Sequence, residues 1–369
     1  MVLTIIINNG YGRYVKRRSR VTVAIATAIG ATLLLSGCIG DDNGLGGVGA
    51  QLGTLKVVAT TTQVADFTRE VAGDGASVTQ LIQPNQSAHS YDPSAADLMA
   101  LSKADILMQN GAGLEEWLDD AVEASGFSGV TVDASTGIEL DETDAEHDDH
   151  AGADHADETE AEHAEHAEDA DDHGHDHAAG NPHIWTDPKN AEQMVETIAT
   201  AFSTSYPAKA ADFRANADAY IAKLTALDDW SRTNIDTVPE AERLFVSNHD
   251  AFSYFVDAYD IEYVGSVIPS FDDSAEPSAA EIDKLVADIK ATGTKAVFSE
   301  TSLSPKTANT IAQEAGVEVY SGDDALYGDS LGPKGSDGAT YIAAQVHNVR
   351  MLLQSWGVTP TALPASLQE

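Results

Sequence analysis

Cysteine is almost missing from this chain of 369 residues, which carries only Cys38. One thiol cannot form an internal disulfide, and it cannot supply a multi-thiolate metal site. Basic residues are scarce as well: 20 Lys and Arg stand against 60 Asp and Glu, for a net charge of −40. Such a surface argues against nucleic acid and anionic membrane faces as partners. It suits solubility at high salt, where self-repulsion is screened. A membrane-spanning run is lacking too, since the apolar stretch from Val21 to Leu35 has fifteen residues and about twenty are needed. Histidine is unevenly spread. Of twelve, eight fall in one acidic tract, at His147, His150, His155, His163, His166, His173, His175 and His177, and four remain for the rest of the chain.

What is present begins with an export signal. Arg13, Lys16, Arg17, Arg18 and Arg20 precede the apolar run, no acid occurs among the first twenty residues, and Leu35-Ser36-Gly37-Cys38 closes it. A basic start, a short apolar stretch and small residues at the end describe a signal peptide over residues 1–37. The last four resemble a lipobox, which makes Cys38 the expected lipidated first residue of the mature chain. Arg17-Arg18 fit either general export or a twin-arginine signal. Residues 38–53, rich in Gly, Asp and Asn and without apolar periodicity, read as a flexible tether.

From Thr54 onward, short apolar runs alternate with amphipathic stretches. Strands are expected over 55–61, 78–82 and 105–109, with helices over 63–71, 94–101 and 114–124; Ser94 and Asp97 make a capping-box-like start. Asp187-Pro188 opens another helix, and 208–235 read as a long one with Phe213, Tyr220, Leu224 and Leu227 on one face. Strands then recur over 243–247, 263–267, 296–299 and 317–320, with helices over 251–259, 279–292, 305–315 and 340–356. Such alternation implies parallel sheets covered on both faces. The expected fold class is α/β, with an N-terminal lobe over 54–205, a linking helix over 206–235 and a C-terminal lobe over 236–360. Two parallel-sheet lobes are thus bridged by one long α-helix. Within a loop placed at 141–180, the stretch from Asp141 to His177 has 17 acids, no base and no apolar side chain larger than Ala. It cannot bury a core and is expected to be disordered.

Three of the four remaining histidines stand in distinctive loops: His89 in HSYDP, His183 in NPHIWTDP and His249 in SNHDAF. Neutral imidazole is the commonest metal ligand and suits Zn, Cu, Ni and Fe. Ligands of open α/β sheets bind beyond the carboxyl ends of the strands, so these residues point to a cation site in the cleft between lobes. A fourth donor is needed to close a tetrahedral shell. Asp329 in ALYGDSLG is the leading candidate, with Asp323, Asp324 and Glu300 as rivals, whereas His347 on the last helix is expected to be structural. The tract histidines suit secondary, weaker chelation.

In this order, LSGC, HSYDP, a His-rich acidic loop, NPHIWTDP, a long helix, SNHDAFSYF, FSET and LYGDSLG resemble the cluster A-I metal-binding lipoproteins of ABC transporters, which supply zinc or manganese to a permease. The resemblance runs from the lipobox to about Trp356. It implies a rigid linking helix, a metal between the lobes, and His89, His183, His249 and Asp329 as its ligands. The implied cargo is Zn²⁺, with Mn²⁺ or iron as the alternative. A three-imidazole set and a His-rich loop are similar to the zinc-uptake members, whereas manganese binders commonly carry Glu at the third position and oxygen suits that metal better. The implied partners are membrane permease subunits driven by a cytosolic ATPase. The implied location is the outer face of the cytoplasmic membrane, held by lipid on Cys38, as a monomer. A competing reading is a zinc enzyme with three histidines and an open position for water. That reading fails if Asp329 closes the shell, and no general base beside an oxyanion donor stands out.

Overall fold

A computed structural model describes residues 54–141 and 180–368. The expected signal peptide, Cys38 with the expected tether, and the eight tract histidines lie outside the described residues. The first sheet is parallel, with β1 (Leu55–Ala59), β2 (Ala76–Gln80), β3 (Ile106–Gln109) and β4 (Val130–Asp133) in the order β2-β1-β3-β4. Val57 is paired with Val78 on one side and Ile106 on the other. The strand order reverses between β1 and β3, which opens a crevice at their carboxyl ends. Helices α1 (Thr62–Ala72), α2 (Ala95–Leu101) and α3 (Leu118–Ser125) make the connections. The Thr61 hydroxyl caps α1 by accepting from Val64 N, and Ser94 with Asp97 form the full capping box of α2.

Two local features depart from the pattern read in the sequence. Strand β4 is an edge strand whose first two residues are exposed, so it lacks the apolar run that marks a buried strand. Helix α3 begins at Leu118 rather than Leu114. Gly111, Ala112 and Gly113 all have positive φ, and the chain turns there before helical geometry can start.

Asp187 caps α4 (Pro188–Ser205), and a single turn at Pro207–Lys209 leads into α5 (Ala210–Ile235). The 26 residues of α5 span about 39 Å. Phe213, Ala217, Tyr220, Leu224, Leu227, Ser231 and Asn234 recur every three or four residues on its buried face. Beyond it, β5 (Leu244–His249) pairs in parallel with β6 (Glu262–Ile268), and β7 (Ala296–Phe298) with β8 (Glu318–Tyr320). Strand β7 lies against β5, where the Phe245 and Phe298 rings are 5.5 Å apart. Helices α6 (Ser253–Ala258), α7 (Ala279–Thr292), α8 (Lys306–Ala315) and α9 (Tyr341–Ser355) complete the second half. Among the described residues no helix is long and apolar enough to cross a membrane.

Period-two alternation distributes the strand side chains. Val58 and Leu107 face an outer layer with Leu101 and Leu118, while Val246 and Val297 face another with Leu285 and Ile311. Their neighbours Val57, Phe245 and Phe298 enter one large shared core with Phe67, Trp185, Phe213 and Tyr341. Each fully buried ring contributes on the order of 2 kcal/mol. The last helix returns to the first lobe: Tyr341 packs edge-on against Phe67 at 4.8 Å, and its N–H donates to Asp66 at 2.9 Å. Strands from both halves therefore share a hydrophobic layer.

Candidate metal centre

The candidate ligands come from three connecting segments and one strand end. His89 is in the loop between β2 and α2, His183 precedes α4, His249 ends β5, and Asp329 lies between β8 and α9. The structure brings all four together. His183 Nε2 is 3.1 Å from His89 Nε2, 3.3 Å from His249 Nε2 and 3.2 Å from Asp329 Oδ1. Asp329 Oδ1 is 3.3 Å from His249 Nε2, and its Oδ2 is 3.6 Å from His89 Nε2. The vertex-to-centre distance of a regular tetrahedron is about 0.61 of its edge. The three edges that meet at His183 Nε2, 3.1 to 3.3 Å, are of the length that bonds of about 2.0 Å to a tetrahedral cation require, and all four donor atoms lie within 4.8 Å of one another. Both Asp329 oxygens are buried and meet nothing but these imidazole nitrogens, a costly state for a carboxylate unless a cation joins it. Among the described residues this is the one convergence of three or more such donors.

Further side chains orient the rings. His183 Nδ1 is 2.6 Å from Asn181 Oδ1, which also accepts from the His183 backbone N–H at 3.0 Å. The Asn181 amide in turn donates to Ser253 Oγ at 2.8 Å. His249 Nδ1 is 2.7 Å from Glu300 Oε1, which accepts the His249 backbone N–H at 3.2 Å. With Nδ1–H engaged in both rings, Nε2 turns its lone pair toward the centre. The Trp185 indole meets the His183 ring edge-on at 5.3 Å.

The segment holding Asp329 is fastened to the first lobe on both sides of the carboxylate. The Gly328 carbonyl accepts from Gln63 Nε2 at 3.0 Å and Trp185 Nε1 at 3.1 Å. Leu331 N donates to Thr62 Oγ1 at 2.8 Å, and Asn85 N donates to Ser330 Oγ at 2.8 Å. A side chain at Gly328 would place Cβ 2.0 Å from Glu300 Oε2. The acidic tract joins the fold close by. Its two ends meet where Asn181 N donates to the Asp141 carbonyl at 3.1 Å, and Ser253 Oγ donates to the Asp141 carboxylate at 2.8 Å.

Burial and charge divide the protonation states. Burial pushes His183 down to about 4, against the pull of Asp329. Burial works in the same direction on His249, but Glu300 and Asp329 outweigh it and raise that imidazole well above its ordinary value. Burial pushes Asp329 up, yet His249 and His183 prevail and hold it well below the usual carboxylate range. Without a cation, His249 and Asp329 therefore form a buried ion pair.

The rival donors lie elsewhere. Glu300 faces Nδ1 of His249, away from the converging Nε2 atoms, and supports a ligand instead of joining the four. Asp323 and Asp324 occupy an exposed single turn. His347 donates through Nε2 to the Ala325 carbonyl at 3.0 Å and lies against Tyr327, outside the group. The sequence reading missed Asn181, although its place two residues before His183 suits a local side-chain turn. It also missed Gln63, whose bond to Gly328 spans 265 residues and leaves no local signal.

A two-lobed parallel α/β protein with a buried centre of three imidazoles and a carboxylate belongs to the class of metal-binding transport components. Residues 57–355 match the family described as zinc-uptake complex component A, periplasmic, and the chain belongs to that family. It is 30% identical over 322 residues to the manganese-binding lipoprotein MntA of Halalkalibacterium halodurans, covering 86% of this chain and 92% of the relative. It is 34% identical over 268 residues to the zinc-binding protein AdcA of Streptococcus pyogenes, covering 72% of this chain but 50% of that longer relative. Its fold matches TroA, the periplasmic zinc-binding protein of Treponema pallidum, with a TM-score of 0.68 at 23% identity over 82% of this chain and 99% of the other. As a family member, the chain is a metal-binding component of an ABC transporter.

Proposed function

We propose that this protein captures Zn²⁺ outside the cytoplasm and delivers it to a membrane permease powered by a cytosolic ATPase, with His89, His183, His249 and Asp329 as the four ligands. The observation that carries the reading is the donor spacing of 3.1 to 3.6 Å. It is a compact set of three nitrogens and one carboxylate, which suits zinc, whereas manganese favours more ligands and more oxygen. The manganese-binding relative supports the alternative cargo, Mn²⁺. A carrier is favoured over a catalyst because four protein donors leave a tetrahedral cation no place for a nucleophilic water. In the same reading Cys38 carries the lipid anchor and the tract histidines collect zinc weakly.

Metal analysis of protein purified without chelators, followed by zinc–manganese competition titrations, tests the cargo. Zinc is expected to displace manganese at neutral pH, and equal affinities would withdraw the zinc assignment. His89→Ala, His183→Ala and His249→Ala should each lose most high-affinity binding, while a chain lacking residues 142–179 keeps it. The reverse pattern would move the principal site to the tract.

A further inference from the structure

The four donors are unequally enclosed. The side chains of His183, His249 and Asp329 are wholly buried, whereas that of His89 keeps 11% of its surface exposed. Solvent reaches the centre past His89. The loop between β6 and α7, residues 269–278, brings two carboxylates to this side, Asp272 and Asp273. Asp272 is exposed and accepts from Ser274 N at 2.8 Å.

Asp273 is different. It is only 8% exposed, and its Oδ2 is buried with no hydrogen-bond partner. Three residues earlier in the same loop the Ser270 carbonyl accepts the N–H of Asp250, the residue after His249, at 3.1 Å, so the segment that carries Asp273 starts beside the centre. Its charge is felt by Asp329, His89 and His249. Yet it is not among the four converging donors, so it stands outside that group. A buried carboxylate oxygen without a donor, close to a second carboxylate, is unfavourable in the absence of a cation. A divalent cation passing His89 would relieve both the missing partner and the repulsion from Asp329.

We propose that Asp273 is a capture carboxylate, which takes the incoming divalent cation on the His89 side and passes it to the four-donor centre. The proposal rests on the assignment of that centre as the metal site. It separates Asp273 from a purely structural role, because Asn keeps the size and hydrogen-bonding capacity of the side chain, whereas capture needs the negative charge.

The test is the association rate of Zn²⁺, followed by stopped-flow competition with a chromophoric chelator. Wild type, Asp273→Asn and Asp273→Glu are compared as full-length mature chains. Asp273→Asn is expected to associate about tenfold or more slowly with an unchanged melting temperature in the metal-free state. Asp273→Glu should keep most of the rate, and molar salt should narrow the gap between wild type and Asp273→Asn. Association of Asp273→Asn at the wild-type rate overturns the proposal while leaving the four-donor site intact. Equal slowing by Asn and Glu does the same, since the effect would then not follow charge. A wild-type chain that takes up no Zn²⁺ overturns the site assignment itself and the proposal with it.

Discussion

Glu300 Oε1 lies 2.7 Å from His249 Nδ1, so a carboxylate just past the end of β7 fixes the direction in which a strand-end imidazole presents its lone pair. Partners of this kind govern metal affinity about 10- to 100-fold. Glu300→Gln, which keeps the shape but loses the charge, is expected to weaken zinc binding by that range and less than His249→Ala does. Isothermal titration of the two variants checks the order. Wild-type affinity in Glu300→Gln would show that His249 needs no such support.

Zinc binding is expected to expel a proton from His249. That imidazole is raised well above its ordinary value by Glu300 and Asp329, whereas burial holds His183 down near 4. In the free protein at neutral pH, His249 is therefore protonated and His183 is not. Because the ligand must be neutral, affinity falls as pH drops through the neutral range, and a further loss from His183 sets in only near pH 4. Titration in buffers of different ionisation enthalpy counts the proton, and affinity that stays flat from pH 6 to 8 contradicts it.

Gly328→Ala should damage the site without touching a ligand. The added Cβ would fall 2.0 Å from Glu300 Oε2, so either Glu300 leaves His249 or the segment bearing Asp329 shifts. Zinc affinity is expected to fall at least tenfold, by the same loss of ligand support. The melting temperature with and without zinc measures it: the metal-dependent rise, RT ln(1 + [L]/Kd), should shrink in the variant.

Glu115 gives the fold a pH dependence of its own. It is buried and accepts from Thr60 Oγ1, Asn110 N and Gly111 N at 2.6, 2.7 and 3.1 Å. Burial raises it from 4.5 to about 7 despite those bonds. The folded state thus holds the proton more tightly than the unfolded one, so the contribution is full below pH 4.5 and is lost as pH rises through about 7. The difference corresponds to about 3 kcal/mol. Denaturant unfolding at pH 5 and pH 8 should show wild type losing more stability than Glu115→Gln, and parallel losses would exclude Glu115 as the source.

Much of this was legible in the sequence because each signal was local. Apolar periods marked β1 to β3 and β5 to β8, and Asp187-Pro188 announced α4. The scarcity of histidine outside the tract made His89, His183 and His249 conspicuous. Relations between distant segments left no such trace. Glu300 stood as a rival ligand because its distance from His249 in the chain hides which ring nitrogen it faces. The return of α9 to Phe67 was invisible for the same reason, and so was the attachment of Gly328 to Gln63 and Trp185. Strand β4 escaped because an exposed edge needs no apolar run.

The hydrogen bond between Asn181 N and the Asp141 carbonyl ties together the two described residues that flank the acidic tract. The fold is held on both sides of that junction whatever the length between, and chain statistics put the cost of doubling the length of a closed segment at only about 0.6 kcal/mol. Lineages and engineers alike can therefore lengthen, shorten or rewrite that tract while Asn181 keeps its grip on His183. It is a natural grafting point for a reporter or an affinity handle.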